Sequence, residues 1–384
     1  MLTELNGDLL SSIMRAPSLT GVLLRRKFTV EPASLQGFLF QHTGSVFSFA
    51  GVGAMPHYKD ELAKGSLMTY RPEIKVLDCT IRDGGLINDH LFEEHFVKAI
   101  YDTCVAAGVD YMEIGYKASK KIFAREKHGS WKYSDEDDIR RIVGDNPSEV
   151  KLCAMADAER TDYHTDILPK EQSVLDCIRV ATYIHQIPTA IDMITDAHQK
   201  GYETTLNLMA ISTVLDRDLE DALAALVQSP VDTIYLVDSF GALYPEQIRD
   251  LTLTFLKAVE GSGKVIGIHA HNNQQLAYAN TIESLILGAS RLDATINGLG
   301  RGAGNCPLEL LIGFLKNPKF HLRPVLECIQ QHFIPLREKL DWGYSIPYML
   351  TGQMNQHPRS AIKMRCSDAP DDYVEFYDLV TEKE

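Results

Sequence analysis

From Lys75 to Gly298, short runs rich in β-branched and aliphatic residues alternate with longer stretches of helical spacing. The strand candidates are "KVLDCT" from Lys75, "YMEIGY" from Tyr111, "KLCAMAD" from Lys151, "CIRVATY" from Cys177, "TTLNLMA" from Thr204, "TIYLVDS" from Thr233, "VIGIHAH" from Val265 and "RLDATING" from Arg291. Between them lie amphipathic segments such as "FEEHFVKAIYDTCVAAG", "PTAIDMITDAHQKG" and "AYANTIESLILGAS", several reaching a glycine where a helix would stop. Strands that alternate with helices make βα units and a parallel sheet. Eight units in about 230 residues predict an α/β fold, the closed (β/α)8 TIM barrel. The alternative is an open doubly wound sheet, but no G-x-G-x-x-G follows the first strand and eight units exceed what that fold needs.

The barrel is expected over 73–318. Residues 1–72 form an N-terminal extension whose fold the sequence leaves open. Residues 319–384 are expected to hold C-terminal helices, such as "LECIQQHFIPLREKL", and an acidic, partly mobile tail from Ser367.

A formal net charge of −14 argues against nucleic acid or an anionic membrane as the partner, since phosphates attract basic surfaces. No apolar run is long enough to span a bilayer, and no secretory leader is evident at the start. The seven cysteines show no C-x-x-C spacing. Free thiols in a reducing compartment fit that pattern, so a cytoplasmic protein is expected.

In "IGIHAHNN" two histidines, His269 and His271, stand where a buried strand would carry apolar residues. Alternate strand residues share a face, and this pair lies at the C-terminal end of the seventh strand, where barrels build active sites. Two imidazoles there can hold one metal ion; a hydrogen-bonded pair of core histidines is the plainer reading. The first strand supplies an anionic partner in "LDCTIRDGG". Asp83 can reach the same ion, and Arg82 can hold a developing anion through its planar fork. An Arg–Asp surface pair in a turn is again the plainer alternative. Two imidazoles, one carboxylate and oxygen ligands suit Mn2+, Mg2+, Co2+ or Zn2+.

"LVDSFGALYP" ends the sixth strand with Asp238 and Ser239. The Ser239 hydroxyl can take a substrate carboxylate oxygen or cap the next helix, and Asn207 of the fifth strand is grouped with it as a substrate contact. "NGLGRGAGNCPLE" after the eighth strand is a tight turn leading into a helix, an anion site by position. Cys306 within it reads as a small residue filling a turn, because no partner base accompanies it.

In order and placement, "LDCTIRDGG", "HAHNN" and "GLGRGAGNCPLE" resemble the three signature segments of the DRE-TIM metallolyases, over roughly residues 74–315. "IRVATY", "YLVDSFGALYPEQI" and "GYSIPY" are most similar to the pyruvate-type aldolases within that family, the 4-hydroxy-2-oxovalerate aldolases. The resemblance implies a divalent metal, Mn2+ foremost, held by Asp83, His269 and His271, with Asn305 of "GAGN" also reaching it. It implies that Arg82 stabilises the enolate of a 2-oxo acid and that Ser239 contacts its carboxylate. Glu113 matches an active-site glutamate, and Tyr344 or Tyr348 matches a tyrosine bordering the aldehyde site. The expected reaction is class II aldol cleavage of a 4-hydroxy-2-oxo acid. The partners are then a small 2-oxo acid and an aldehyde, with a homodimer and an aldehyde dehydrogenase as further expectations.

The chain departs from that pattern at one catalytic position. The aldolases carry a basic histidine just after R-D-G; here that place is Gly85 or Leu86, and His90, Tyr344 or a bound water would have to substitute. Two other functions compete with the aldolase. One is acyl-CoA-dependent Claisen condensation with a 2-oxo acid, whose enzymes usually show a glutamate where Gly300 stands. The other is a barrel subunit without turnover.

Overall fold

The computed structural model describes residues 71–382, so the expected extension over 1–72 lies almost wholly outside the described residues. Eight strands form: β1 (Lys75–Asp78), β2 (Tyr111–Tyr116), β3 (Lys151–Asp157), β4 (Cys177–Thr182), β5 (Glu203–Leu208), β6 (Thr233–Asp238), β7 (Val265–Ala270) and β8 (Arg291–Ala294). Each pairs in parallel with the next, and β1 pairs with β8 to close the barrel. The strands start within one residue of the runs that predict them; β2 and β3 match their runs to the end and the other six stop earlier, where the chain turns into the rim loops.

The two strand faces do different work. Val76, Met112, Leu152, Ile178, Leu206, Ile234, Ile266 and Leu292 are buried in one continuous core with the helices. The helices are α1 (Glu94–Ala107), α2 (Glu136–Val143), α3 (Ile187–Gln199), α4 (Asp216–Gln228), α5 (Pro245–Val259), α6 (Ala277–Leu287) and α7 (Leu308–Leu315); after β3 there are two short helical turns, Tyr163–Asp166 and Lys170–Gln172. The alternate residues fill the barrel. Leu77, Cys79, Tyr111, Cys153 and Cys177 make one apolar cluster. On the same strand faces, one step further toward the C-terminal ends, stand Glu113, Arg179 and Asp293, all buried.

The C-terminal part continues as α8 (Leu322–Cys328), a π turn over Ile329–Phe333, α9 (Ile346–Gln353), α10 (Arg359–Arg365) and α11 (Tyr373–Thr381). Part of the acidic stretch from Ser367 folds as a helix. Phe376 and Val380, four apart on α11, are buried in a cluster with Tyr348, Leu350 and Ala361. These two residues dock the helix, whose other face mixes Glu375 and Asp378 with exposed Val374, Tyr377 and Leu379. No helix among the described residues is long and apolar enough to cross a membrane. All seven cysteines are free thiols, six of them buried.

Candidate active site

After β1 the chain does not stay extended. It coils into a short helix, Thr80–Gly84, at the C-terminal mouth of the barrel. Thr80 fixes the entry: its hydroxyl donates to Asp78 Oδ2 at 2.6 Å and accepts from the Ile296 amide at 2.8 Å. That helix presents Arg82 and Asp83 side by side and buried, so neither is a surface pair. His269 belongs to β7, whereas His271 lies one residue past its end, held there by a bridge to Asn305. The imidazole centroids are 5.2 Å apart. Asp83 Oδ2 stands 3.5 Å from His269 Nε2 and 3.9 Å from His271 Nε2. Three ligand atoms thus converge within 4.8 Å.

A chain of buried charges holds this triad. His269 Nδ1 is 3.0 Å from Asp293 Oδ2, and Asp293 accepts from Arg179 at 2.6 Å. Arg179 donates to Glu113 at 3.0 Å, and Glu113 accepts from Arg82 Nε at 2.7 Å. Arg82 Nη1 returns to Asp83 at 2.5 Å. Donation from His269 Nδ1 to Asp293 leaves the Nε2 lone pair facing Asp83, the arrangement that carboxylates impose on metal-binding histidines. Three carboxylates against two guanidiniums leave one negative charge, which a divalent cation would compensate. Burial opposes ionising Asp83, but Arg82 and the two imidazoles outweigh it and hold its carboxyl well below the usual range. Burial likewise opposes protonating His269, yet Asp293 and Asp83 raise its pKa, so the site attracts positive charge. Burial keeps His271 neutral, its pKa well below the ordinary histidine value.

Buried polar atoms here without a hydrogen-bond partner include His269 Nε2, Asn305 Oδ1, Arg82 Nη2 and Glu113 Oε1, with Arg179 Nε and Asp293 Oδ1 deeper in the network. Orphaned buried atoms are rare in folded proteins. Two of these are metal-ligand atoms and one is a free donor, so the donor set fits a divalent ion with a bound anion. Cys79 Sγ, 3.9 Å from His269 Nδ1, belongs to a different triad with Asp293. Burial pushes that thiol well above its ordinary pKa and it donates to the Ala294 carbonyl, which suits packing rather than ligation.

Gly300 is explained by the same loop. A Cβ there would lie 2.1 Å from Asn305 Nδ2 and 2.7 Å from Asp83 Oδ1, so a side chain would displace a ligand-set residue. Ser239 is buried, and its hydroxyl accepts from the Ala210 amide at 2.8 Å instead of capping the next helix. Its carbonyl accepts from Arg301, whose Nη2 is also 3.5 Å from His271 Nε2. Asn207 is buried on β5 and accepts from Thr205 at 3.3 Å. Tyr348 is buried beside Gly302, with the Arg365 guanidinium 5.0 Å from its ring centroid. Tyr344 is half exposed, and the structure does not bring it to the cluster.

His90 is brought close. Asp89 and His90 both adopt left-handed backbone angles, φ 53° and 61°, unfavourable for side-chain-bearing residues and tolerated where the surroundings demand it. The His90 amide donates to the Gly85 carbonyl at 2.8 Å, folding the loop back. The buried imidazole then occupies the space where a residue-85 side chain would begin, with Nδ1 2.1 Å from an ideal Cβ. That Nδ1 has no partner, and the ring meets Tyr116 edge-on at 5.3 Å. Burial, helped by Lys132, His128 and Arg82, lowers its pKa to about 3, so it is a neutral acceptor.

Arg179, Asp293 and Lys132 were not singled out from sequence. The first two left a signal: a charge inside the apolar runs "CIRVAT" and "RLDA". A concavity of about 510 Å³ at the opposite end of the barrel, around Tyr202, Glu203 and Asp232, contains none of the convergent unpaired groups described above.

The HMGL-like family profile matches residues 73–330. The chain is 32% identical to an oxaloacetate decarboxylase of Mycobacterium tuberculosis over 263 residues, 67% of this chain and 74% of that one. It is 28% identical to a 4-hydroxy-2-oxovalerate aldolase of Pelotomaculum thermopropionicum over 251 residues, 65% and 72% of the two chains. Among solved structures, the N-terminal domain of an aldolase candidate from Bacteroides vulgatus superposes with a TM-score of 0.65 at 28% identity, covering 76% of this chain and 96% of that one. Hydroxymethylglutaryl-CoA lyase from Pseudomonas aeruginosa shares the fold at TM-score 0.57 and 18% identity, over 71% and 95% of the chains. The chain belongs to the HMGL-like family of DRE-TIM barrels.

Proposed function

We propose that the protein cleaves a 4-hydroxy-2-oxo acid into a pyruvate-type enolate and an aldehyde, with Mn2+ held by Asp83, His269, His271 and Asn305. The observation that carries this reading is the unpartnered Nη2 of Arg82 beside three converging ligand atoms. A bound Mn2+ would supply Lewis-acid polarisation of the substrate's keto oxygen. Arg82 is pinned through Nε by Glu113 and through Nη1 by Asp83, so Nη2 is a preorganised donor for the oxygen that gains charge. Removing such a donor costs on the order of 10²–10³ in rate. Ser239 and Asn207 would contact the substrate carboxylate. Neutral His90 would take the 4-hydroxyl proton as the C3–C4 bond breaks and its electron pair goes to C3. Tyr348 would border the departing aldehyde.

A second reading is favoured by the oxaloacetate decarboxylase relative. Loss of CO2 from oxaloacetate forms the same enolate and needs no base on a hydroxyl. Purified protein with Mn2+ should release pyruvate and acetaldehyde from 4-hydroxy-2-oxopentanoate, and Arg82→Met should lower kcat about 10²-fold. Pyruvate and CO2 from oxaloacetate, with no 4-hydroxy-2-oxo acid cleaved, would install the second reading. Free thiol from acetyl-CoA and a 2-oxo acid would overturn both.

A further inference from the structure

Lys132 is a buried lysine near the barrel mouth that the mechanism above leaves unused and that, unlike the nearby Lys117, which donates to the Ser134 carbonyl, has no hydrogen-bond partner among the described residues. It follows Trp131 in the loop after β2, and that loop presses directly on the strand end: a Cβ on Gly115 would lie 2.1 Å from the Trp131 carbonyl oxygen. The close approach carries the Lys132 side chain back over Tyr116, the last residue of β2. Its Nζ stands 4.5 Å from the Tyr116 ring centroid and 4.4 Å from that of Phe123. The residue is 8% exposed. Among the described residues its ammonium makes no hydrogen bond and no ion pair within 4.0 Å.

Burying a charge without a partner is costly, and folded proteins normally pair such groups. Two aromatic faces recover part of that cost but leave the N–H donors unspent. Burial lowers the pKa of Lys132, against the opposing pull of Asp157. Asp157, at the end of β3, is the acid that could pair with it, yet no Lys132–Asp157 contact lies within 4.0 Å. Arg160 and His128 add positive charge around Asp157 and His90 respectively. The ammonium therefore sits in an aromatic-lined recess of mixed charge, with Asp157 and Asp89 opposed by Arg160 and with no carboxylate in direct contact.

Tyr116 and His90 link that recess to the proposed site. Tyr116 lies three residues beyond Glu113, which holds Arg82, and its ring meets His90 at 5.3 Å. Moving outward from Arg82, the groups met in turn are His90, Tyr116 and Lys132. If His90 serves the hydroxyl on C4, the next atoms of the substrate reach toward Lys132.

We propose that Lys132 is a specificity residue that binds an anionic group on the distal side of C4, so that the preferred substrates are dicarboxylic 4-hydroxy-2-oxo acids. This rests on the aldolase reading for its chemistry, though not for the existence of the subsite. Cleavage then breaks the C3–C4 bond, sends the electron pair to C3, gives the hydroxyl proton to His90, and leaves an aldehyde that carries the second carboxylate.

The test compares 4-hydroxy-2-oxoglutarate with 4-hydroxy-2-oxopentanoate, which differ only by a carboxylate in place of a methyl group. A hydrogen bond to a charged group corresponds to a preference of about 10- to 100-fold in kcat/KM for the dicarboxylate. Lys132→Met should abolish that preference while kcat/KM for the methyl substrate stays within about threefold. A wild-type enzyme with no preference, or an equal fall for both substrates, would overturn the proposal. Should no 4-hydroxy-2-oxo acid be cleaved, the aldolase reading falls, and the subsite is read by calorimetry on Mn2+-loaded protein. There 2-oxoglutarate should bind at least tenfold more tightly than 2-oxopentanoate, and Lys132→Met should remove the difference. Equal affinities would overturn it. Trapping of a borohydride-reduced 2-oxo acid adduct on Lys132 would replace the proposal with a nucleophilic lysine.

Discussion

Gly85→Ala isolates the role of His90. Gly85 has φ −59° and ψ −21°, ordinary right-handed values that alanine adopts without strain. The backbone change is therefore neutral or favourable by about 0.4–1 kcal/mol through the unfolded state. The new methyl would sit 2.1 Å from His90 Nδ1. Ordinary contacts begin near about 3.5 Å, so the ring must retreat by roughly 1.4 Å. The ring is buried against Tyr116 and its Cγ also lies within 2.9 Å of the new methyl, so the retreat costs some packing as well. A displacement of about 1 Å in a catalytic group can cost on the order of 10²-fold. We expect kcat for retro-aldol cleavage of 4-hydroxy-2-oxopentanoate, followed by pyruvate formation, to fall about 100-fold. The melting temperature should stay within about 4 °C of wild type, a shift equivalent to roughly 1–2 kcal/mol in a chain of this size. Any decarboxylation of oxaloacetate should be spared, because it removes no hydroxyl proton. An unchanged cleavage rate, or an equal loss in decarboxylation, would refute the assignment of His90.

Two further outcomes are expected. Asp293→Asn removes the carboxylate that orients His269 and should weaken Mn2+ binding about 10- to 100-fold in calorimetric titration; unchanged affinity would show that the orientation is set elsewhere. Burial raises the Asp78 carboxyl to about 7, against bonds from Thr80. The folded state then holds a proton that the unfolded chain releases above about pH 4. Stability from this group is complete below the unfolded pKa and is lost as pH rises toward 7. Denaturant midpoints should accordingly fall from pH 5 to 8, and Asp78→Asn should flatten that fall.

The barrel was legible because each strand is buried on both faces, so eight apolar β-branched runs stand out against the helical spacing between them. His269, His271 and Asp83 were legible because polar residues at strand ends are out of place in a core. The Arg179–Asp293–Glu113 network was not, since its members lie on β4, β8 and β2 and only barrel closure brings them together. Lys132 was hidden for a different reason, and His90 was legible only as one of three substitutes for the missing base. Each is placed by loop geometry, the consecutive left-handed residues Asp89 and His90 and the packing on Gly115, which residue spacing does not encode. Docking of α11 is not legible because nothing in the spacing of "YVEFYDLVT" marks Phe376 and Val380, rather than Val374 or Leu379, as the buried pair.

The most direct measurement is anomalous diffraction from crystals soaked with Mn2+ and oxalate. One peak should lie among Asp83 Oδ2, His269 Nε2 and His271 Nε2, with oxalate reaching Arg82 Nη2. A peak on the Cys79 side of His269, or no peak in crystals that diffract well, would contradict it.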